Sequence, residues 1–376
     1  MRILSLHNSY LQPGGEDRIF EDEAALLREH GHQVLMVQRH NRELQAKGRL
    51  RAGLATVWSR SGYQQVSALI RDFQPDLVHC HNLFPLISPA AYYAARAWRR
   101  PVVQTLHNFR LLCAASSLWR NHGPCRQCLG RAVGWPGIIH ACYRGSRTAS
   151  AAVVAMQSLH RWLGSWRKLV ARYICPSRQL RQIFLEAGFQ SSQLVVKPNL
   201  IRTDPGAGTG QGGYALFVGR LTTEKGVGQL LRAQLTARLP LKVIGDGPLR
   251  PQVLATPGVE YLGQQSHEQV LHWMRQAHFL VVPSLAPESF GLVAAEALAC
   301  ATPVLAARSG NLSELVTDGH TGHLYEPGDH QALARLLREF VATQDMRLAA
   351  RRWFLDNLSR PANYRQLMDI YGAVLP

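Results

Sequence analysis

The sequence predicts an α/β protein of two doubly wound domains, each a parallel sheet with helices on both faces, and three observations carry that prediction. Apolar strand-like runs alternate with helical patterns from the first residues onward. The alternation restarts in the second half of a 376-residue chain, which is too long for one ordinary core. Three early strands end in the same polar dipeptide, His7-Asn8, His81-Asn82 and His107-Asn108.

In order along the chain, "RILSLHN" is an apolar strand, and "PGGED" turns into the helix "RIFEDEAALLREH". Gly31 stops that helix, and "GHQVLMVQ" follows as the next strand. "PDLVHCHN" and "PVVQTLHN" are two more strands, each opened by a proline. Strand–helix alternation of this kind implies a parallel sheet. Polar residues at the carboxyl ends of its strands face the crevice where open α/β sheets bind ligands, so three His-Asn pairs point to a shared polar cleft. The second half repeats the pattern with "YALFVGRL", "LKVIGDGPL", "FLVVPS" and "TPVLAA". The expected domains are residues 1–196 with 360–376, and residues 197–359. The last helix, with Leu367, Ile370, Tyr371 and Val374 on its apolar side, crosses back onto the first domain. "GTGQGG" at 208–213 spells a dinucleotide fingerprint but precedes a strand instead of following one, so it reads as a flexible linker.

Apolar residues make up 46% of the chain, which excludes global disorder. No apolar run reaches the length of a membrane span, and "MRILSLHNSY" is too short for a signal peptide, so a cytoplasmic protein is expected. Seven cysteines then read as thiols or metal ligands. The net charge of +17 is concentrated: residues 1–200 hold 26 Lys/Arg against 10 Asp/Glu, and Leu77–Leu185 holds fifteen basic residues and no acid. An anionic partner follows, either nucleic acid or an anionic membrane surface. No nucleic-acid reading module is recognisable, so a non-enzymatic nucleic-acid binder is the weaker alternative.

"PSLAPESFGLVAAEALAC" places Glu288 in the loop after a buried strand and Glu296 on the helix that follows. The amides of Phe290, Gly291 and Leu292, next to Ser289, open that helix and form a ready anion site. A phosphate there would lie between two carboxylates that bind hydroxyls on either side of it. Two acids would repel a diphosphate without cations, and "VGRLTTEKG" supplies Arg220 and Lys225 after another strand end. "GDGP" adds Gly245 and Gly247 in a tight turn that lets backbone approach a ligand. The set fits a nucleotide-sugar.

These motifs resemble those of the retaining glycosyltransferases of family 4. Glu288 and Glu296 match the family's E-x7-E, Gly219 to Gly226 match G-R-L-x-x-x-K-G, and Gly14-Gly15, the segment Gly31 to Val34 and "GDGP" match as well. The resemblance covers essentially the whole chain. It implies the GT-B fold, two Rossmann-like domains facing across a cleft, and a UDP- or GDP-sugar donor. It also implies roles. Arg220 and Lys225 neutralise the leaving diphosphate, Glu288 holds sugar hydroxyls, Glu296 binds the ribose, and His107 lies beside the anomeric carbon. Gly14 and Gly15 belong to the acceptor side. One departure is Ala301, where the family usually has glycine. No Asp-x-Asp sequence occurs, so no catalytic divalent metal is expected. A nucleotide-sugar epimerase or hydrolase on the same fold is the enzymatic alternative.

An insert of about residues 113–145 carries Cys113, Cys125, Cys128 and Cys142, a C-x2-C flanked by single cysteines that can make a structural zinc site. A basic helix over about 150–170 spaces Leu159, Trp162 or Leu163, Trp166 and Leu169 at helical intervals beside Arg161, Arg167 and Lys168. Such a helix either packs on the core or fits a monotopic membrane surface, and the surrounding acid-free stretch favours the membrane. The expected acceptor is a saccharide held on a lipid for surface or exopolysaccharide synthesis. The expected place is the inner face of the cytoplasmic membrane.

Overall fold

The structure is a computed structural model that describes residues 1–10, 14–44 and 49–375. It divides into two units: Met1–Leu118, Cys125–Arg202 and Arg360–Pro376 form one, and Trp119–Pro124 and Thr203–Ser359 form the other. The divide falls after Arg202 rather than after residue 196, and Trp119–Pro124 leaves the insert to group with the second unit.

The first unit is built on six parallel strands, β1 (Arg2–Ser9), β2 (Gln33–His40), β3 (Leu77–Cys80), β4 (Val102–Thr105), β7 (Arg172–Cys175) and β8 (Leu194–Val196). A small antiparallel hairpin, β5 (Trp119–Arg120) and β6 (Gly123–Pro124), precedes β7. The sheet order is β2-β1-β3-β4-β7-β8, so the chain changes direction across the sheet between β1 and β3. Every residue of β3 and β4 is buried, as parallel strands covered on both faces require. The helix Gly15–Glu29 contributes Ala24 and Leu27 to one face of the sheet. Leu367, Ile370 and Tyr371 of the final helix, Arg360–Gly372, pack into the same cluster against Ile3, Leu77 and Val103.

The second unit repeats the plan with β9 (Ala215–Val218), β10 (Leu241–Ile244), β11 (Val259–Gly263), β12 (Phe279–Val282), β13 (Val304–Ala307) and β14 (Gly322–Tyr325). Its order, β11-β10-β9-β12-β13-β14, is doubly wound with the switch point between β9 and β12. Phe217, Val243, Phe279, Val281 and Leu305 form its core with Leu230, Leu333 and Leu337.

One local reading is corrected by the structure. The glycine run 208–213 is not a flexible linker. The amides of Gly208, Gly210 and Gly212 bond the carbonyls of Cys300, Arg275 and Gln276 at 2.8, 3.1 and 2.8 Å. A Cβ at Gly208 would stand 2.0 Å from the Arg275 carbonyl oxygen, so the glycines serve close packing of backbone on backbone. Ala301 sits at φ +57°, in the left-handed region where glycine carries no steric cost. Arg347 Nη1 holds its carbonyl oxygen at 3.1 Å.

Candidate functional site

The loops after β9 and β12 leave the sheet of the second unit at its switch point, where open α/β sheets place ligands. The β9 loop carries Arg220 and Lys225 and the β12 loop carries Ser284 and Glu288. Lys225 Nζ lies 2.6 Å from Glu288 Oε1, and Ser284 Oγ donates to the same oxygen at 2.5 Å. Burial pushes the Glu288 carboxyl up, but the Lys225 charge and hydrogen bond, Ser284 and Arg220 outweigh it and hold it below its ordinary value. The backbone of Glu288 is fixed by a bridge to Gly310 and by the Asn311 amide on its carbonyl at 2.9 Å. Arg220 is freer: two-thirds of its side chain is exposed, and it reaches Glu224 at 3.4 Å. The "GDGP" turn closes the same edge, because a Cβ at Gly245 (φ +134°) would stand 1.9 Å from the Gly219 carbonyl.

The helix after Glu288 runs Leu292–Ala299, with Gly291 as its N-cap at φ +86°. Ala294 and Ala295 donate back to the Gly291 carbonyl, while the amides before them lie ahead of the first intrahelical bond. Phe290 is buried and its carbonyl accepts from Asn311 Nδ2 at 2.6 Å, which fixes the approach to the helix. Ser289 is half-buried. Glu296, buried on the helix, meets His267 Nε2 at 2.8 Å. The two glutamates thus have different cationic or donor partners, Lys225 for one and His267 for the other.

In the first unit the three His-Asn pairs do come together. His7 Nε2 bonds Asp17 Oδ1 at 2.9 Å, and the Gly14 amide donates to the other oxygen of Asp17 at 2.7 Å. Gly14 and Gly15 therefore begin the helix Gly15–Glu29 directly over the end of β1. Asn8 Oδ1 accepts from the Leu86 amide at 3.0 Å, and Asn82 Nδ2 donates to the Asn8 carbonyl at 2.7 Å. His107 is buried, stacks on His81 at 5.2 Å between centroids, and shares an Nε2–Nδ1 hydrogen bond of 3.0 Å with it. Burial drives His81 down to about 3 and carries His107 well below the usual imidazole value, so both rings are neutral at neutral pH. His107 and Asn108 line a cavity of about 40 Å³ with Glu16 and Arg110, and Asn108 Nδ2 donates to Glu16 at 2.6 Å.

Several site residues were not anticipated from the sequence: Ser284, His267, Glu16, Asp17, Glu23 and Lys197. Glu23 carried a usable signal. It falls on the buried face of its helix, three residues after Phe20 and four before Leu27, where a carboxylate needs a partner. Lys197, closing the apolar run "LVV", carried a second. His267 stands at an ordinary capped helix start and carried none.

The insert and the helix after it depart from the sequence reading in their geometry. Cys113 and Cys125 lie near Cys128. Yet among the described residues the donor atoms that gather closely enough for one ion are those of Glu23, His79 and His81, and the four cysteines form no such group. The Cys128 thiol points at the Gly134 carbonyl, 3.7 Å away. The basic helix is also shorter than expected. It ends at Trp162, the chain turns at Gly164 (φ +73°), and the turn sends Trp166 inward against Tyr92 and His160. Trp162 remains 82% exposed and Trp166 only 3%, so the two tryptophans do not share a surface.

The family described as Glycosyltransferase Family 4 matches residues 13–205, and Glycosyl transferases group 1 matches residues 208–352. An uncharacterized glycosyltransferase of Methanocaldococcus jannaschii is 37% identical over 140 residues, 36% of this chain and 40% of that protein. This chain therefore spans well under two-thirds of that relative's length. A D-inositol 3-phosphate glycosyltransferase of Nocardiopsis dassonvillei is 30% identical over 338 residues, 79% of this chain and 70% of that one. Among solved structures, Anabaena HepE in complex with UDP-glucose superposes with a TM-score of 0.69 at 18% identity, over 99% of this chain and 100% of that chain. The last likeness shows the fold, two Rossmann-like domains of GT-B type.

Proposed function

This chain belongs to the group 1, family 4 glycosyltransferases, and we propose that it moves a sugar from a nucleoside-diphosphate sugar to a saccharide acceptor with retention at the anomeric carbon. The observation that carries the reading is the Lys225–Glu288 pair at the switch point, beside the amides that open the helix Leu292–Ala299. Lys225, the exposed Arg220 and those amides supply positive potential where charge grows on a departing diphosphate. Glu288 and Glu296 accept from sugar and ribose hydroxyls. HepE holds UDP-glucose, which makes UDP-glucose the first donor to try.

The acceptor is assigned to a lipid-linked saccharide of surface or exopolysaccharide synthesis, at an anionic membrane surface on the cytoplasmic side. Support comes from the acid-free stretch Leu77–Leu185 and from the exposed apolar side chains of Trp162, Leu163, Trp135 and Ile139. The helices bearing Trp135 and Trp162 pack on one another. No described helix is long and apolar enough to cross a membrane. A panel of UDP- and GDP-sugars, scored by thermal shift, by release of nucleoside diphosphate and by product anomer, tests the proposal. Release that needs no acceptor and leaves an epimerised sugar would refute it.

A further inference from the structure

A buried chain of four side chains ends on His107. Lys197 Nζ lies 3.2 Å from Glu23 Oε2, and all but 2–3% of both side chains is hidden from solvent. The other oxygen, Glu23 Oε1, faces His79 Nδ1 at 3.0 Å and His81 Nε2 at 3.5 Å. His81 Nδ1 then meets His107 Nε2 at 3.0 Å. His79 is held from outside this chain by Tyr371 Oη at 2.7 Å and Thr105 Oγ1 at 2.9 Å.

A neutral imidazole carries one N–H and one lone pair, and an ionised carboxylate can only accept. Glu23 stays ionised, because Lys197 and His79 outweigh the effect of its burial. His81 Nε2 is a buried atom with no other partner and faces Glu23 Oε1, the oxygen that His79 Nδ1 also approaches. Turning a lone pair toward that oxygen would set two negative centres together in a dry site, so Nε2 of His81 carries the proton. His81 Nδ1 is therefore an acceptor, and His107 must donate to it through Nε2–H. We propose that Glu23 is a positioning residue that, through His81, fixes His107 in the Nε2-protonated tautomer and leaves Nδ1 of His107 as an acceptor for a sugar hydroxyl. The assignment of a sugar rests on the transferase reading above; the tautomer does not. Glu23, His79 and His81 also have donor atoms within 4.8 Å of one another, as a cation site would. The Lys197 ammonium already occupies the carboxylate, which favours the hydrogen-bonded chain.

The test uses the full chain labelled with ¹⁵N-histidine, with two-bond ¹H–¹⁵N correlations at neutral pH and His107 identified by its loss in His107→Gln. Wild type is expected to show a protonated Nε2 and a bare Nδ1 at His107. Glu23→Gln, whose amide can either donate or accept, is expected to give a mixture of tautomers. UDP-glucose turnover should fall by roughly tenfold or more while UDP affinity stays within about twofold. Because Glu23→Gln leaves a buried ammonium unpaired, Glu23→Gln/Lys197→Met serves as the variant that keeps the fold. An Nδ1-protonated His107 in wild type, or an unchanged pattern in both variants, would overturn the proposal. Bound zinc that disappears in Glu23→Gln would also overturn it, in favour of a metal site. The expected pattern in a protein that turns over no nucleotide-sugar upholds the tautomer assignment and refutes the transferase reading instead.

Discussion

Lys225 and Glu288, contributed by two different strand-end loops, form an ion pair with 2.6 Å between Nζ and Oε1. A diphosphate that recruits Lys225 must compete with this carboxylate. Glu288→Gln is therefore expected to leave UDP affinity unchanged or improved while lowering turnover, because it frees the lysine and removes the sugar-side acceptor. Lys225→Ala should weaken UDP binding by about 1.5–3 kcal/mol, the range for hydrogen bonds to charged groups, and lower turnover as well. Calorimetric titration with UDP beside initial rates separates the two effects. Loss of UDP affinity in Glu288→Gln with an intact rate would place the sugar elsewhere.

The same pair makes a pH prediction. Glu288 has its folded-state value depressed below 4.5, so its contribution to stability is complete above that value and disappears as pH falls through the folded-state value. Thermal unfolding followed over about pH 3–6 should show a fall on the acid side that is shallower in Glu288→Gln than in wild type. Equal slopes would mean that the pair contributes nothing net to stability.

Glu296 answers to His267 rather than to Lys225, at 2.8 Å, and is buried at the second turn of its helix. Its role as ribose acceptor predicts that Glu296→Gln weakens UDP binding by roughly 1–2 kcal/mol. Removing the ribose hydroxyls from the donor should then cost much less in the variant than it does in wild type. Full additivity of the two losses would show that Glu296 and the ribose do not meet.

Ala301, at φ +57°, spends backbone strain at the end of the helix that carries Glu296. Ala301→Gly is expected to raise stability by roughly 1 kcal/mol, the scale of the left-handed penalty. Chemical denaturation resolves a change of that size; a loss of stability would mean that the Ala301 methyl packs usefully.

How much of this was legible in the sequence depends on how local each signal is. The strands "RILSLHN", "FLVVPS" and "TPVLAA" announce themselves because buried parallel strands are nearly continuous apolar runs. Strands β7, β8, β11 and β14 did not, being three to five residues long, and β11 is mostly half-exposed. Lys225, Glu288 and Glu296 were visible because loop residues at strand ends have fixed sequence offsets from those strands. The partners that tune them were not. Glu23 meets His79 and Lys197 across more than fifty and more than a hundred and seventy positions, and no offset encodes such meetings. Trp166 shows the converse failure. Helical spacing from Trp162 was sound as arithmetic, but the left-handed Gly164 breaks the helix between them.

That break yields the sharpest test of the membrane proposal, because it separates two tryptophans that the sequence treats alike. Trp162 is 82% exposed at the end of a basic helix, whereas Trp166 is 3% exposed and packed among Tyr92 and His160. Trp162→Ala should change stability by no more than about 0.5 kcal/mol, as exposed positions do. It should nevertheless reduce binding to vesicles containing phosphatidylserine or cardiolipin, since an interfacial tryptophan acts only when a membrane is present. Trp166→Ala should cost about 3–5 kcal/mol of stability through the cavity it leaves, and any loss of vesicle binding should track the unfolded fraction. Salt should weaken the wild-type interaction, because attraction between the basic unit and anionic headgroups is screened over about 8–10 Å at physiological ionic strength. Flotation of both variants with anionic and neutral vesicles, beside their melting curves, reads all of these effects together. Equal flotation with neutral and anionic vesicles, or full retention of binding in Trp162→Ala, would remove the membrane from the proposed function and leave a soluble saccharide as the acceptor.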